Sequence, residues 1–375
     1  MFPISIEMPQ NRRNRPVGRD VAEAASMYRV VGVGWLTLAL SACGGAAPKP
    51  FGGSPPLPST AGSSAQLVVM NPVDMNGTRI YELATLNLDG SVFQQLTHDG
   101  IDKELPHFSP DGTRLLYTRY AVGAEGQPGS QSDVAMYDIE SGTETLLTHT
   151  GQELKPAWSP DGTRIAWLSL SSPPTSLKIM NADGSSVQTI ATAGGGSDDQ
   201  KWGDTAWSVD NWIIFVVAQN NSAGTCFKTR LDKIRPDGSE RTQVTDGGPN
   251  CTPPGMEQSG DADPGPSADG QTVYTSRGFP VPPAGASAPR TERRLYAVSS
   301  SAWFPGKPEK DLSLPSQPSC IEGVPKGSPD GTRVLLFRWC FDSNPVNGIF
   351  VTDTNGSYRT KVADGFGPDW NPAVN

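Results

Sequence analysis

The sequence predicts an all-β fold, a six-bladed β-propeller of four-stranded antiparallel blades, from two observations. The first is a turn phrase that keeps returning: Phe108-Ser-Pro-Asp-Gly-Thr, Trp158-Ser-Pro-Asp-Gly-Thr, Trp207-Ser-Val-Asp-Asn, Pro266-Ser-Ala-Asp-Gly, Gly327-Ser-Pro-Asp-Gly-Thr and a degenerate Trp370-Asn-Pro. The second is that similar apolar runs follow it each time. A repeat of roughly 40 to 60 residues built on one turn is the mark of a propeller.

Each element has a local reason. Pro presets φ, Asp bonds nearby amides and Gly accepts the left-handed conformation that closes a hairpin, so every copy of the phrase joins a first strand to a second. The second strands are apolar, β-branched or aromatic: Leu115 to Tyr117, Ile165 to Leu168, Ile213 to Val217, Val273 to Thr275 and Val334 to Phe337. Third strands run into another turn at Val134 to Gly142, Leu177 to Gly184, Leu231 to Gly238 and Ile349 to Gly356. Fourth strands end on Leu96-Thr97, Leu147-Thr148 or Val244-Thr245. In the unit opened by Pro266 the stretch Ser301 to Pro318 replaces a clear fourth strand.

The last first strand, at Trp370, has nothing after it to pair with. The missing partners stand at the other end of the propeller, at Leu67 to Asn71, Ile80 to Leu88 and Val92 to Thr97. Pairing of the N- and C-terminal strands is therefore expected to close the ring and remove its open edges.

The aromatic-Ser-Pro-Asp-Gly-Thr phrase, the apolar strand after it and the later Asp-Gly and Leu-Thr resemble the TolB-like propeller family, also called the PD40 or WD40-like repeat family. The resemblance covers about Gln66 to Asn375. The Gly-His and Trp-Asp signatures of ordinary WD40 repeats are absent, and no α/β domain of the TolB kind fits ahead of the propeller. The resemblance implies a binding or scaffolding module, engaged at the channel mouth by a protein segment.

Residues 65–375 form the expected propeller, and 43–64 a Pro/Gly/Ser/Ala tether whose composition builds no core. Residues 1–42 read as an N-terminal extension and a signal peptide, with translation expected to begin at Met27. The apolar stretch before Cys43 is too short to span a bilayer, and Leu40-Ser-Ala-Cys43 resembles a bacterial lipobox, with Cys43 the lipidated residue; the bland alternative is an incidental cysteine near an ordinary cleavage site. Gly44 in place of Asp implies sorting to the outer membrane, facing the periplasm or the cell surface.

The other four of the five cysteines fit an oxidising compartment. Cys320 and Cys340 stand symmetrically about Asp330, and Cys226 and Cys251 flank the Pro236-Asp-Gly238 turn, so the expected disulfides are Cys226 with Cys251 and Cys320 with Cys340. A four-cysteine metal site would want Cys-x-x-Cys spacing, which is missing.

The loops entering each blade carry the charge. Asp102 and Glu104, with His107 just beyond them, Glu153, Asp198 and Asp199, and Asp261 and Asp263 are the candidate residues of an acidic channel mouth that would attract a cation or a basic peptide; an acidic protein with net charge −9 has acidic loops in any case. That charge argues against nucleic acid. Asp261-Ala-Asp263 offers too few oxygens for calcium, and neither metal nor cofactor is assigned.

Catalysis finds little. His98 and His149 occupy one repeat position and His107 precedes a turn; a cluster of the three would suggest the metal-assisted mechanism of oligogalacturonate lyases, a family of similar propellers, and a sugar-binding propeller stands beside that reading. Prolyl oligopeptidase-type peptidases need a Gly-x-Ser-x-Gly elbow, which this chain does not contain. The expectation is a non-catalytic, monomeric envelope lipoprotein that binds an envelope protein or peptide. A stabilising envelope component with no small ligand is the further alternative. The Pro/Gly-rich insertions 250–260 and 280–290 read equally as ornaments or as binding elements.

Overall fold

The computed structural model describes residues 65–75, 78–91, 93–121, 131–171, 175–194, 201–220, 227–248, 259–281, 290–314, 320–340 and 346–374. Among them every regular element is a strand. Leu67–Met75 (β1), Thr78–Leu86 (β2) and Gln94–Gln95 (β3) are followed by Lys103–Phe108 (β4), Arg114–Tyr120 (β5), Ser132–Asp138 (β6) and Thr143–Leu146 (β7). Next come Glu153–Trp158 (β8), Arg164–Ser169 (β9), Ser176–Asn181 (β10) and Gln188–Thr192 (β11), then Lys201–Trp207 (β12), Ile213–Asn220 (β13), Phe227–Ile234 (β14) and Thr242–Gln243 (β15). Ser259–Pro266 (β16), Thr272–Val281 (β17), Arg290–Ser299 (β18) and Glu309–Asp311 (β19) precede Cys320–Gly327 (β20), Arg333–Cys340 (β21), Gly348–Asp353 (β22), Thr360–Ala363 (β23) and Phe366–Trp370 (β24).

Strands β4 to β7 and β8 to β11 each make a four-stranded antiparallel sheet in chain order. The remaining four-stranded sheet runs β24-β1-β2-β3, so its first strand comes from the far end of the chain, with Leu67 opposite Trp370. The twelve-stranded sheet is three antiparallel runs, β12 to β15, β16 to β19 and β20 to β23, bridged by short parallel contacts at Thr229/Gly260 and Arg293/Ile321. Strand β19 corrects one expectation, since a short fourth strand does form within Ser301 to Pro318, with Lys310 opposite Ala297.

The core lies between consecutive sheets, and this explains the continuous apolar runs. Alternate side chains of a strand point to opposite faces, and here both faces are covered. Leu115 and Tyr117 pack toward Val68 and Leu83 of the preceding sheet, while Leu116 between them packs toward Trp158 and Trp167 of the next. Ile213, Phe215 and Val217 likewise join one layer with Leu168 and Leu177, and Ile214 and Val216 another with Val273 and Val298. Tyr274 and Leu295 meet Val334, and Leu67 and Val69 meet Leu335 and Ile349, so the first sheet also packs against the last. Arginines beside the turns extend these layers: Arg114 over Trp158, Arg164 over Trp207 and Arg333 over Trp370, contacts worth roughly 0.5–1 kcal/mol each where exposed.

The recurrent phrases have matching bonds. Asp111, Asp161 and Asp330 each accept a hydrogen bond from the Ser two residues before and from the amide and hydroxyl of the Thr two residues after, while the Ser hydroxyl accepts the amide of the following Arg. The Leu-Thr ending is equally specific, because Thr97, Thr148 and Thr245 accept the amides of Leu83, Val134 and Leu231 through Oγ1 and so seal the fourth strand onto the third. Cys320 and Cys340 face each other in register across β20 and β21 and are joined by a disulfide. Cys43, Cys226 and Cys251, with the signal and tether segments, lie outside the described residues.

Hydrogen bonds to the ionised carboxylate hold Asp161 and Asp330 down at about 2. Their contribution is complete above the unfolded carboxylate pKa near 4 and is lost as pH falls toward 2. Asp161→Ala and Asp330→Ala should each cost about 1 kcal/mol in urea melts at pH 7, a difference expected to shrink progressively below pH 4.

Candidate functional site

Six strands, β4, β8, β12, β16, β20 and β24, begin the antiparallel runs, and each packs against the next, with β24 also against β4. Every one of them is interrupted. Pairing slips between Glu104 and His107, Leu154 and Ala157, Gly203 and Thr205, Ala262 and Gly265, and Gly323 and Lys326, and β1 slips opposite β24 between Val68 and Met70. A bulge leaves its extra residue unpaired and re-aims the side chain. Leu105, Lys155, Asp263, Val324 and Gly367 sit there with φ of 50°, 56°, 52°, 51° and 48°, and Asp204 occupies the corresponding place in β12. A left-handed conformation is costly for a β-branched residue such as Val324. Pro follows in five of these strands (Pro106, Pro156, Pro264, Pro325, Pro368), tolerated because a broken ladder needs no N–H there.

The bulge residues converge. Leu105, Lys155, Asp204, Asp263 and Val324 line one cavity together with His107, Thr205, Pro264 and Lys326. Leu105, Lys155, Asp263, Val324 and Gly367 line a second with Met70, Glu104 and Phe337. The two share Leu105, Lys155, Asp263 and Val324, so the bulges gather in a ring about one axis.

Half of this ring is apolar and half is charged. Lys155 is buried; its ammonium donates to Glu104 Oε1 at 2.5 Å and lies 3.4 Å from Asp204 Oδ1. Burial disfavours its charge, but Glu104 and then Asp204 outweigh that and raise its pKa. Glu104 also accepts the hydroxyl of Tyr120. Asp263 is pushed up to about 6, chiefly by burial and next by the charge of Asp204, against Arg293, Lys155 and the amide of Val324. Burial lowers the pKa of Lys326, with Asp369, Asp263 and Asp204 acting in the other direction. His107 Nδ1 lies 3.6 Å from Asp369 Oδ2, which accepts the amide of Phe108; burial and then Lys326 keep this histidine below its ordinary value.

The sequence-predicted mouth divides on this geometry. Glu104, His107 and Asp263 come together at the axis, whereas Glu153 and Asp261 do not serve an open mouth. Glu153 is buried and accepts Trp167 Nε1 and Ser169 Oγ, and Asp261 is buried in a two-pronged pair with Arg277 at 2.6 and 2.9 Å. A carboxylate in a dry strand needs such partners, so Asp261-Ala-Asp263 splits: the first holds arginine and the bulge turns the second to the axis. Asp102 accepts the amide of Tyr81. Asp198 and Asp199 lie outside the described residues. His98 and His149 are exposed on the loops after β3 and β7, and only His107 lines the axial cavity; among the described residues no group of three or more His, Cys, Asp or Glu is placed to hold a metal. Lys155, Asp204 and Lys326, which are not among the residues of the expected acidic mouth, join them at the axis. For Lys155 and Lys326 the sequence signal is a Pro two residues before the turn phrase, as in Lys155-Pro156-Ala157 and Val324-Pro325-Lys326; Asp204 is followed by Thr205 and carries no such signal.

This architecture is a β-propeller, similar in fold to the propellers of TolB proteins. TolB of Acinetobacter baumannii superposes with a TM-score of 0.57 at 15% identity over 83% of this chain and 67% of that one. A putative TolB of Agrobacterium tumefaciens gives 0.53 at 14% identity over 81% of this chain and 90% of its own. In sequence, dipeptidyl-peptidase 5 of Porphyromonas endodontalis is 33% identical over 86 residues, 22% of this chain and 12% of that enzyme. The chain therefore spans only a small part of that curated relative. No protein-family model matches it.

Because Asp263 has a raised pKa in the folded state, the native protein binds more protons than the unfolded chain between about 4 and 6, and stability falls as pH rises through that window. Asp263→Asn keeps an acceptor for Val324 and should raise stability by roughly 1–2 kcal/mol at pH 7.5. The gain should vanish near pH 4, as read by thermal melts at both values.

Proposed function

We propose that this chain is a non-catalytic interaction module of the bacterial cell envelope, a closed six-bladed propeller hung from a membrane by lipidated Cys43 and a flexible tether. The circle of contacts from β4 through β24 and back to β4, with β24 paired to β1, supports six blades and closure. One observation carries the binding role. At the axis, six independent strands each give up regular pairing to aim one residue at the same narrow place. Packing does not require this, since the apolar layers lie farther out between the sheets, and charged groups concentrated on strained backbone mark functional positions. A protein segment of basic character, entering from the mouth, is the partner this arrangement suits.

Affinity capture from envelope extracts with the full-length chain should retain a specific protein at low salt that is lost with Asp204→Asn/Asp263→Asn, by about ten-fold or more. Capture unchanged by the double substitution would move the docking surface away from the axis. Lipid attachment is separable: Cys43→Ala should shift the protein from the membrane to the soluble fraction, and continued membrane association of that variant would remove the anchor from the proposal.

A further inference from the structure

The ring of bulges contains a pair of carboxylates with unmatched oxygens. Asp204 is 6% exposed, and its Oδ1 is buried without a hydrogen-bond donor; Oδ2 of Asp263, on the neighbouring first strand, is in the same condition. Both residues line one cavity. A buried acceptor left unmatched costs about 1–3 kcal/mol, and more when charged. Of the nearby cations, Lys326 lines the same cavity and acts on both carboxylates through its charge, but Lys155, Lys326 and Arg293 together face four carboxylates, Glu104, Asp204, Asp263 and Asp369. The Lys155 ammonium is held by Glu104 and offers Asp204 proximity at 3.4 Å without a hydrogen bond. Arg293 acts on Asp263 through its charge and donates to the carbonyl of Ser276. The amide of Val324 serves the carboxylate of Asp263 but leaves Oδ2 unmatched.

A water molecule would satisfy both oxygens without neutralising them; an occupant that also neutralises them carries positive charge and at least two N–H donors in a compact head. The cavity is narrow, on the scale of a single water. A metal ion would look for more ligands than this pair supplies, and no such group exists among the described residues. An anion would meet two carboxylates. A quaternary ammonium has charge but no donor.

We infer that Asp204 and Asp263 form a primary-ammonium site at the axis of the propeller, filled by a lysine side chain or a free chain-terminal ammonium. The inference rests on the axial docking reading and names the chemistry of the group that docks. Leu105 and Val324, on the apolar half of the ring, then contact the methylenes behind the ammonium, as alkyl stems are commonly held.

Thermal melts of the full-length protein with methylammonium chloride as probe test this, with tetramethylammonium chloride and calcium chloride at matched ionic strength. Methylammonium should raise Tm in a concentration-dependent way, tetramethylammonium should not, and Asp204→Asn/Asp263→Asn should weaken the apparent affinity about 10- to 100-fold. Asp263→Asn alone, which keeps the shape of the ring, gives the same reading should the double variant fold poorly. Tighter binding of acetyl-Gly-Lys-Gly-amide than of methylammonium assigns the side chain as source; tighter binding of unblocked Gly-Gly-Gly assigns the chain terminus. Equal shifts with both ammonium salts, an undiminished shift in the variants, or a response to calcium alone would overturn the site. Loss of partner capture with methylammonium binding intact would instead overturn the docking reading, so the two fail separately.

Discussion

Everything in this molecule depends on the apolar layers between consecutive sheets. Each sheet is buried on both faces, so Leu115, Leu116 and Tyr117 serve two layers at once, and no sheet has a core of its own to fall back on. Burial of side chains of this size is worth about 1.5–3 kcal/mol apiece. That collective attraction holds the first strands together at the axis, where it sustains what local preference would reject: left-handed Leu105, Lys155 and Val324, and like charges at Asp204 and Asp263. The strain at the centre is possible because stability is generated farther out.

Much of the architecture was legible because the repeated phrases are bonded motifs. Ser-Pro-Asp-Gly-Thr writes out a donor and acceptor set within six residues, and Leu-Thr encodes a packing residue followed by a strand-sealing hydroxyl. Such information is local, and sequence order preserves it. The symmetric placement of Cys320 and Cys340 about their turn is of the same kind, since hairpin register follows from counting. Short β19 escaped notice because Glu309 to Asp311 is entirely exposed and so has no apolar signature.

The candidate site was legible only in part, for a physical reason. Whether a carboxylate is free or taken depends on partners distant in sequence: Asp261 is neutralised by Arg277 and Glu309 stands on the same guanidinium, whereas Asp263 two positions on has no such pair. Alternation alone would send residues two apart to the same face. The bulge breaks that rule, and nothing in the charges of Asp261-Ala-Asp263 announces it. The recurrent prolines do announce it, because Pro264 after Asp263 removes a ladder N–H at the bulge, as Pro106, Pro156, Pro325 and Pro368 do in the other strands.

The pairing of β1 has a mechanical side. The chain ahead of Ala65 leads directly into β1, which lies between β2 and β24, and the amide of Asn371 and its side chain clasp Gln66 and Ala65 at the entry. Ladder bonds run across the strands, so tension pulled along β1 loads both of its ladders in shear, with many bonds sharing the force instead of parting one after another. A pull applied to the chain at Ala65 is thereby resisted by β2 and β24 at once, so the first and last strands hold one another in place.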